Sequence, residues 1–239
     1  MNPDESGQKQ TIPPEADRYK HMKILIADDH AVVREGLKQI LTGVSGVTEI
    51  DGVANGNELM EKVKEKDYDV VVLDISMPGK SGLEVLKELK IEKPKLPVLM
   101  LSIYPEGQYA VRVLKAGASG YLTKDSASEE LVNAVEKIYL GHKYITPSLA
   151  EKLADFSWEG DILPHEKLSD REFEVFKMIA AGKTVKEIAE NLFISVKTVS
   201  TYKVRIIEKM NLESRADITS YAIKNKLIDW LIDCSANIE

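Results

Sequence analysis

Cysteine is nearly absent: of 239 residues, one, Cys234, carries a thiol. A single thiol cannot close a disulfide within the chain or anchor a cysteine-based zinc site. Histidine is scarce too. The four, at 21, 30, 142 and 165, include no i, i+4 pair that would set two imidazoles on one helix face for a metal. No apolar run approaches the ~18 residues that a membrane helix needs. Met1 to Lys20 is polar, contains Pro13-Pro14 and lacks the apolar stretch of a signal peptide. Internal repeats and low-complexity tracts are missing as well. These absences argue against a disulfide scaffold, a cysteine-zinc fold and a membrane partner, and they suit a reducing cytoplasm. Residues 1–21 read as a tail, disordered or appended ahead of a native start at Met22.

What is present is ordinary globular material: 44% hydrophobic and 30% charged residues. The length allows one large or two small domains. The net charge of -7 is unevenly spread. Residues 22–141 hold 15 basic and 19 acidic side chains, a net of -4, whereas residues 166–226 hold 12 basic and 9 acidic, a net of +3. An acidic front and a mildly basic back point to the back as the half that meets nucleic acid.

From Lys23 short apolar runs alternate with amphipathic segments. Strands are expected at Lys23–Ala27, Glu49–Val53, Val70–Leu73, Val98–Leu101 and Gly120–Leu122. Helices are expected between them at about 31–42, 57–66, 82–90, 107–116 and 128–140. The continuously apolar runs at 70–73 and 98–101 suit parallel strands covered on both faces. This alternation predicts a doubly wound α/β sheet. Gly141 reads as a helix terminator. Residues 142–165 then read as a linker, with a short helix at Pro147–Phe156. Beyond it the pattern is helical. Ser169-Asp-Arg-Glu172 and Thr184-Val-Lys-Glu187 are capping boxes, Ser195 opens a third helix and Ser214 a fourth. Residues 228–239 form a C-terminal tail.

Three carboxylates fall just past strand ends: Asp28 and Asp29 after the first strand, Asp74 after the third. Open parallel sheets bind ligands at the carboxyl ends of their strands, where strand order reverses. Clustered anions repel, so a cation belongs among them. Mg²⁺ fits, being hard, oxygen-seeking and content with one or two carboxylates plus water and phosphate; Mn²⁺ is a substitute. Ser102 ends the fourth strand and Lys124 follows the fifth, so a hydroxyl and an ammonium stand ready for phosphoryl oxygens. On this reading Asp74 is a nucleophile forming an acyl phosphate, Asp28 and Asp29 position the metal, and the Ser76 carbonyl supplies another ligand. Taken singly, each residue has a plainer use: Asp28 or Asp29 as N-cap of the helix at 31–42, Lys124 as a solvated lysine, Tyr121 as a packing residue, His30 as a solvated or capping one. Their joint placement on four strand ends favours the site.

Asp28-Asp29, Asp74 with Met77-Pro78-Gly79, Ser102, and Lys124 preceded by Tyr121 resemble the receiver domain of two-component response regulators over residues 22–141. The resemblance implies a five-stranded parallel sheet in the flavodoxin-like order and a phosphohistidine on a sensor histidine kinase as phosphoryl donor. It also implies Ser102 and Tyr121 as a switch pair, the hydroxyl turning toward the phosphoryl group and the ring following. The protein would then be a stoichiometric phosphoacceptor that phosphorylates itself with Mg²⁺ and dephosphorylates slowly, not an enzyme. A Mg²⁺-dependent phosphohydrolase is the rival, but it needs a second acid/base carboxylate just beyond the nucleophile, and Asp74-Ile-Ser-Met77 has none.

In the second half, a helix near 184–192, a turn at Phe193-Ile194 and a helix near 195–210 match the spacing of two steeply crossed helices. Val199, Tyr202, Ile206 and Met210 make one buried stripe. Lys197, Thr201, Val204 and Glu208 face the other way. Val204 has no core reason to face outward, and contact with a thymine methyl would account for it. Ser200 and Thr201 are placed for base edges; Lys197, Thr198, Lys203, Arg205 and Lys209 for phosphates. A plain helical bundle with a solvated face is the competing reading. Leu168-Ser-Asp-Arg-Glu172, Lys186-Glu-Ile-Ala189, Ile194-Ser195, Lys197-Thr198-Val199 and Lys209-Met210 resemble the four-helix helix-turn-helix output domain of the LuxR/NarL type over residues 166–227. Tyr202 stands where many members have His, and Val185 where a polar residue is usual. The whole is similar to NarL/FixJ-type response regulators, which implies binding to double-stranded DNA and homodimers formed on phosphorylation or on DNA. A phosphorylation-independent DNA-binding or scaffolding protein is the second rival.

Overall fold

The structure, a computed structural model, describes residues 21–155 and 163–228. The N-terminal tail, the C-terminal residues with Cys234, and Phe156, Asp161 and Ile162 of the expected linker lie outside the described residues.

Five strands and five helices alternate through the first half: β1 (Met22–Ala27), α1 (Ala31–Thr42), β2 (Val47–Val53), α2 (Gly56–Glu65), β3 (Val70–Asp74), α3 (Gly82–Glu92), β4 (Val98–Ser102), α4 (Glu106–Lys115), β5 (Gly120–Thr123) and α5 (Ala127–Tyr139). All pairings are parallel, in the order β2-β1-β3-β4-β5. This is the doubly wound sheet expected from the alternation. Every residue of β3 and of β4 is buried, because helices cover both faces of the sheet. Two apolar clusters fill those faces. One gathers Leu25, Val71, Leu73 and Met100 with α2, α3 and α4; the other gathers Ile24, Val70, Val72, Leu99 and Leu122 with α1 and α5. Each buried aliphatic side chain contributes roughly 1.5–3 kcal/mol relative to exposure, so the sheet is the stable frame on which loops are carried.

The strand order reverses between β1 and β3, and Asp28 and Asp74 stand at the carboxyl ends of those two strands. Helix α3 starts with a full capping box, in which Ser81 accepts from Glu84 N and Glu84 accepts from Ser81 N. The Ser-x-x-Glu signal was there to be read. Gly82, the first residue of α3, allows a close approach: a Cβ there would lie 1.9 Å from the Asp74 carbonyl oxygen and 2.8 Å from its carbon. Its N–H bonds the Ile75 carbonyl at 2.8 Å. The start of α3 is therefore pressed against the backbone of Asp74. Gly82→Ala should cost at least the roughly 1–3 kcal/mol typical of overpacking, seen as a drop in Tm; an unchanged Tm would contradict this packing.

After α5, Gly141 (φ +84°) ends the helix, and α6 (Pro147–Asp155) covers α4. The expected linker is more ordered at its end than its sequence suggests, since Pro164–Lys167 forms a turn of 3-10 helix. Four helices follow: α7 (Asp170–Ala180), α8 (Val185–Asn191), α9 (Val196–Met210) and α10 (Arg215–Lys224). Ser169, Thr184, Ser195 and Ser214 all act as N-caps through their side chains, three of them in full boxes; each cap contributes about 1 kcal/mol. Asn211 takes the left-handed conformation that terminates α9.

The helical half rests on α3 and α4 through α7. Asp170 pairs with Lys87 (2.6 Å) and Arg112 (3.2 Å). Arg112 also donates to the carbonyls of His165 (2.9 Å) and Leu168 (3.1 Å) and lies over the Phe173 ring. Phe173 meets Tyr109 edge-to-face at 5.3 Å. As a result Asp170, Arg171, Glu172, Glu174 and Lys177, which local pattern would place in solvent, are all buried.

Candidate phosphoryl-transfer site and nucleic-acid interface

Asp28, Asp29 and Asp74, with His30, each offer a ligand atom within 4.8 Å of the others. Asp28 and Asp74 are almost fully buried, whereas Asp29 is partly exposed. The plainer reading of Asp28 or Asp29 as N-cap does not hold: His30 occupies that position in α1 and makes no side-chain cap bond. Asp28 instead accepts from His30 N at 2.8 Å, and its carbonyl accepts from Arg34 at 2.6 Å. His30 Nδ1 sits 2.8 Å from Asp29 Oδ1.

Lys124, at the end of β5, reaches across to both buried carboxylates, 2.6 Å from Asp28 Oδ2 and 2.7 Å from Asp74 Oδ2. Only the second contact has hydrogen-bond geometry. The backbone N–H of Lys124 is pinned to the Ser102 carbonyl at 2.7 Å, so the ends of β4 and β5 hold this lysine in place. Asp74 Oδ1 accepts from Ser76 N at 3.2 Å. Burial pushes the Asp74 carboxyl up to about 6; Lys124 pulls it back and Asp28 pushes it further up. Burial lowers the Lys124 ammonium, but the two carboxylates outweigh it and hold it above its usual value.

Asp28 Oδ2 faces the Lys124 ammonium and Asp29 Oδ1 faces the His30 ring as close contacts outside hydrogen-bond geometry, and the buried Ser76 Oγ borders the same cleft. Hard oxygen donors in surplus are the donor set that Mg²⁺ takes, so the residues present fit that ion.

Ser102 and Tyr121 are fully buried beside the acidic cluster. Both are tied to the backbone of one residue that sequence reasoning did not single out: Ser102 Oγ accepts from Tyr104 N at 3.0 Å, and Tyr121 OH donates to the Tyr104 carbonyl at 2.6 Å. Burial holds the Tyr121 phenol protonated, so it acts as a donor there.

In α9, Val199, Ile206 and Met210 are buried and Tyr202 half-buried, the expected inward stripe. Lys197, Ser200, Thr201, Arg205 and Lys209 are exposed, and Thr198 and Lys203 are half-buried. Val204 is 54% exposed. Val196, in the first turn, is 52% exposed and was missed because an apolar residue at a helix start looks like core. Ser200 and Thr201 donate to carbonyls one turn back, which leaves their oxygens free to accept. Lys209 departs from its expected place: its ammonium bonds Glu172 of α7 at 2.6 Å. Glu172 is the buried partner in a capping box, and its charge claims the nearest cation.

Residues 24–136 match the family described as response regulator receiver domain, and residues 166–222 match bacterial regulatory proteins, luxR family. The chain is 40% identical over 219 residues to the oxygen regulatory protein NreC of Staphylococcus carnosus, covering 87% of this chain and all of the relative. It is 33% identical over 210 residues to the response regulator GacA of Pseudomonas aeruginosa, covering 87% and 98%. Among solved structures it resembles the RcsB response regulator of Salmonella typhimurium, with a TM-score of 0.63 and 26% identity over 86% of this chain and 98% of the other. A structure of RcsB from Salmonella enterica serovar Typhimurium bound to promoter rprA with a phosphomimetic gives 0.58 and 27% over 84% and 98%. With a parallel sheet in the receiver order, a LuxR-type helix-turn-helix behind it and full-length relatives at this identity, the chain belongs to the two-component response regulators of the NarL/FixJ type.

Proposed function

We propose that Asp74 accepts a phosphoryl group from the phosphohistidine of a sensor kinase and that the acyl phosphate drives the LuxR-type domain onto promoter DNA as a homodimer. An Asp74 carboxylate oxygen attacks phosphorus, the P–N bond breaks with its electron pair going to nitrogen, and the imidazole, already protonated on its other ring nitrogen, leaves neutral. Asp28, Asp29, Asp74 and the Ser76 carbonyl would hold Mg²⁺, which when bound supplies charge neutralisation for the transferring oxygens. Lys124 and the Ser102 hydroxyl bind phosphoryl oxygens, and Tyr121 follows the loop that Ser102 moves. Lys197, Thr198, Lys203, Arg205 and Lys209 contact phosphates, Lys209 once its pairing with Glu172 yields. Ser200, Thr201 and Val204 read bases. The protein works in the cytoplasm and turns over its own phosphate slowly.

The observation that supports this best is the meeting of two buried carboxylates on one lysine at the strand-order reversal, with a third carboxylate within 4.8 Å. Two carboxylates buried within a few ångströms of each other are costly to hold without function. The test is divalent-ion dependence. Mg²⁺ at about 100 times its dissociation constant should stabilise the chain by about 2.7 kcal/mol, and labelling by a small phosphodonor should stop when the metal is chelated. In the Asp28→Asn, Asp29→Asn chain both effects should vanish. Labelling that continues in chelator would reject the metal assignment.

A further inference from the structure

The backbone of Tyr104 is held on both sides by the two expected switch residues, its N–H by Ser102 and its carbonyl by Tyr121. Its ring has a different partner. Tyr104 stacks on Tyr109 with centroids 5.1 Å apart, and the ammonium of Lys177, from α7 of the output domain, lies 3.5 Å from the Tyr104 centroid and 4.4 Å from that of Tyr109. Lys177 is 5% exposed. A desolvated cation over two rings is the strongest form of this contact.

The neighbouring loop is gripped in the same way. Arg171 of α7 donates to the carbonyl of Gly79, five residues beyond Asp74, and pairs with Glu174 at 2.6 Å. Helix α7 thus clamps both loops that flank the acidic cluster, β3–α3 through Gly79 and β4–α4 through Tyr104. Both contacts depend on where those loops sit.

We infer that Lys177 is a latch residue that reads the switch: the output domain is held on the receiver while Tyr104 stays under Lys177, and moving Ser102 or Tyr121 pulls the ring away. The inference rests on the reading of Asp74 as phosphoacceptor. The physical ground is connectivity. A serine hydroxyl that swings toward a phosphoryl oxygen on Asp74 draws away from Tyr104 N, and a Tyr121 ring that follows takes its hydroxyl from Tyr104 O. The Tyr104 backbone then has neither anchor, and the ring that carries the cation moves with it. Coupling of this kind is reciprocal: a latched output domain resists the switched loop, so it also slows phosphorylation.

The latch matters for DNA because of what the docked receiver faces. Asp29, His30, Met77, Pro78 and Ile103 share a cleft with Glu187 and Phe193 of α8 and the helix-turn-helix turn. In such motifs the first helix crosses the DNA backbone, and here that flank looks onto the acidic rim of the receiver.

The experiment uses the full chain with Lys177→Gln, which keeps the stem and removes the charge, Lys177→Arg, which keeps a cation over the rings, Tyr104→Leu, and the Gln/Leu double variant. Lys177→Gln and Tyr104→Leu should each raise the initial rate of labelling by a small phosphodonor about fivefold or more. The double variant should add nothing further, and Lys177→Arg should behave as the unaltered chain. Hydrogen exchange should accelerate at 103–106 and 170–177 while 196–227 stays protected. A second set carrying Asp74→Asn reads the latch without phosphorylation, through the same exchange pattern and a matching rise in DNA affinity. If the unaltered chain never takes up phosphate but this second set responds, the phosphoacceptor reading fails and the latch stands. Wild-type rates in Lys177→Gln, additive effects in the double variant, or loss of protection throughout 166–227 would each overturn the latch.

Discussion

Asp74→Asn should take up no phosphoryl group from a small phosphodonor with Mg²⁺, while melting as a folded protein. The amide keeps the side-chain volume in a site that is nearly closed to solvent, and Lys124 keeps Asp28 as a partner 2.6 Å away, so the fold has no reason to fail. What disappears is the proposed nucleophile, a carboxylate that faces both Lys124 and Asp28 on a backbone pressed against Gly82. An amide oxygen is a poor nucleophile and cannot form a stable acyl phosphate. Neither Asp28 nor Asp29 substitutes: Asp28 is bound by the His30 N–H and by Lys124, and Asp29 lies at the exposed rim beside His30. The measurement is intact-mass labelling, followed by mapping of the modified residue. Undiminished labelling of Asp74→Asn would move the phosphoacceptor elsewhere.

The second large effect concerns α9. Thr201→Ala with Val204→Ala should relax sequence preference while leaving non-specific DNA affinity in place. Each lost base contact typically costs about 1–3 kcal/mol of discrimination. Val204 is exposed and Val199, Ile206 and Met210 carry the core face, so truncating Val204 opens no cavity and its cost should appear in recognition. Lys197→Ala should behave oppositely, weakening all sequences and lowering the salt slope by about one. The two patterns are separated by titrating specific and random duplexes at several salt concentrations. If the Thr201 and Val204 variant keeps its full preference, the bases are read by another face.

Much of this architecture was legible before any coordinates. The β/α alternation is a local signal, because a strand buried on both faces must be apolar throughout, and Val70–Leu73 and Val98–Leu101 are. Caps at Ser169, Thr184, Ser195 and Ser214 are equally local, since side chain and backbone partner lie three residues apart. Strand ends were placed one or two residues short, as at Asp74, Ser102 and Thr123, where polar residues still pair within the sheet. The acidic cluster was legible because topology converts strand ends into neighbours.

Contacts set by the meeting of the two halves were not. Asp170, Arg171, Glu174 and Lys177 look like a solvated helix face, and nothing within ten residues of them names Lys87, Gly79 or Tyr104 as their partners. Lys209 was assigned to DNA phosphates because Glu172 lies 37 residues away. The special role of Gly82 depends on the Asp74 carbonyl and is visible once α3 is packed.

The central claim is that phosphate on Asp74 raises affinity for DNA. Its most direct test is a DNA titration of the full chain, with Mg²⁺ and with or without a small phosphodonor, beside Asp74→Asn under the same salt. The expected result is a fall in Kd of about tenfold with phosphodonor in the unaltered chain and no change in Asp74→Asn. Equal affinity in all four arms would contradict it.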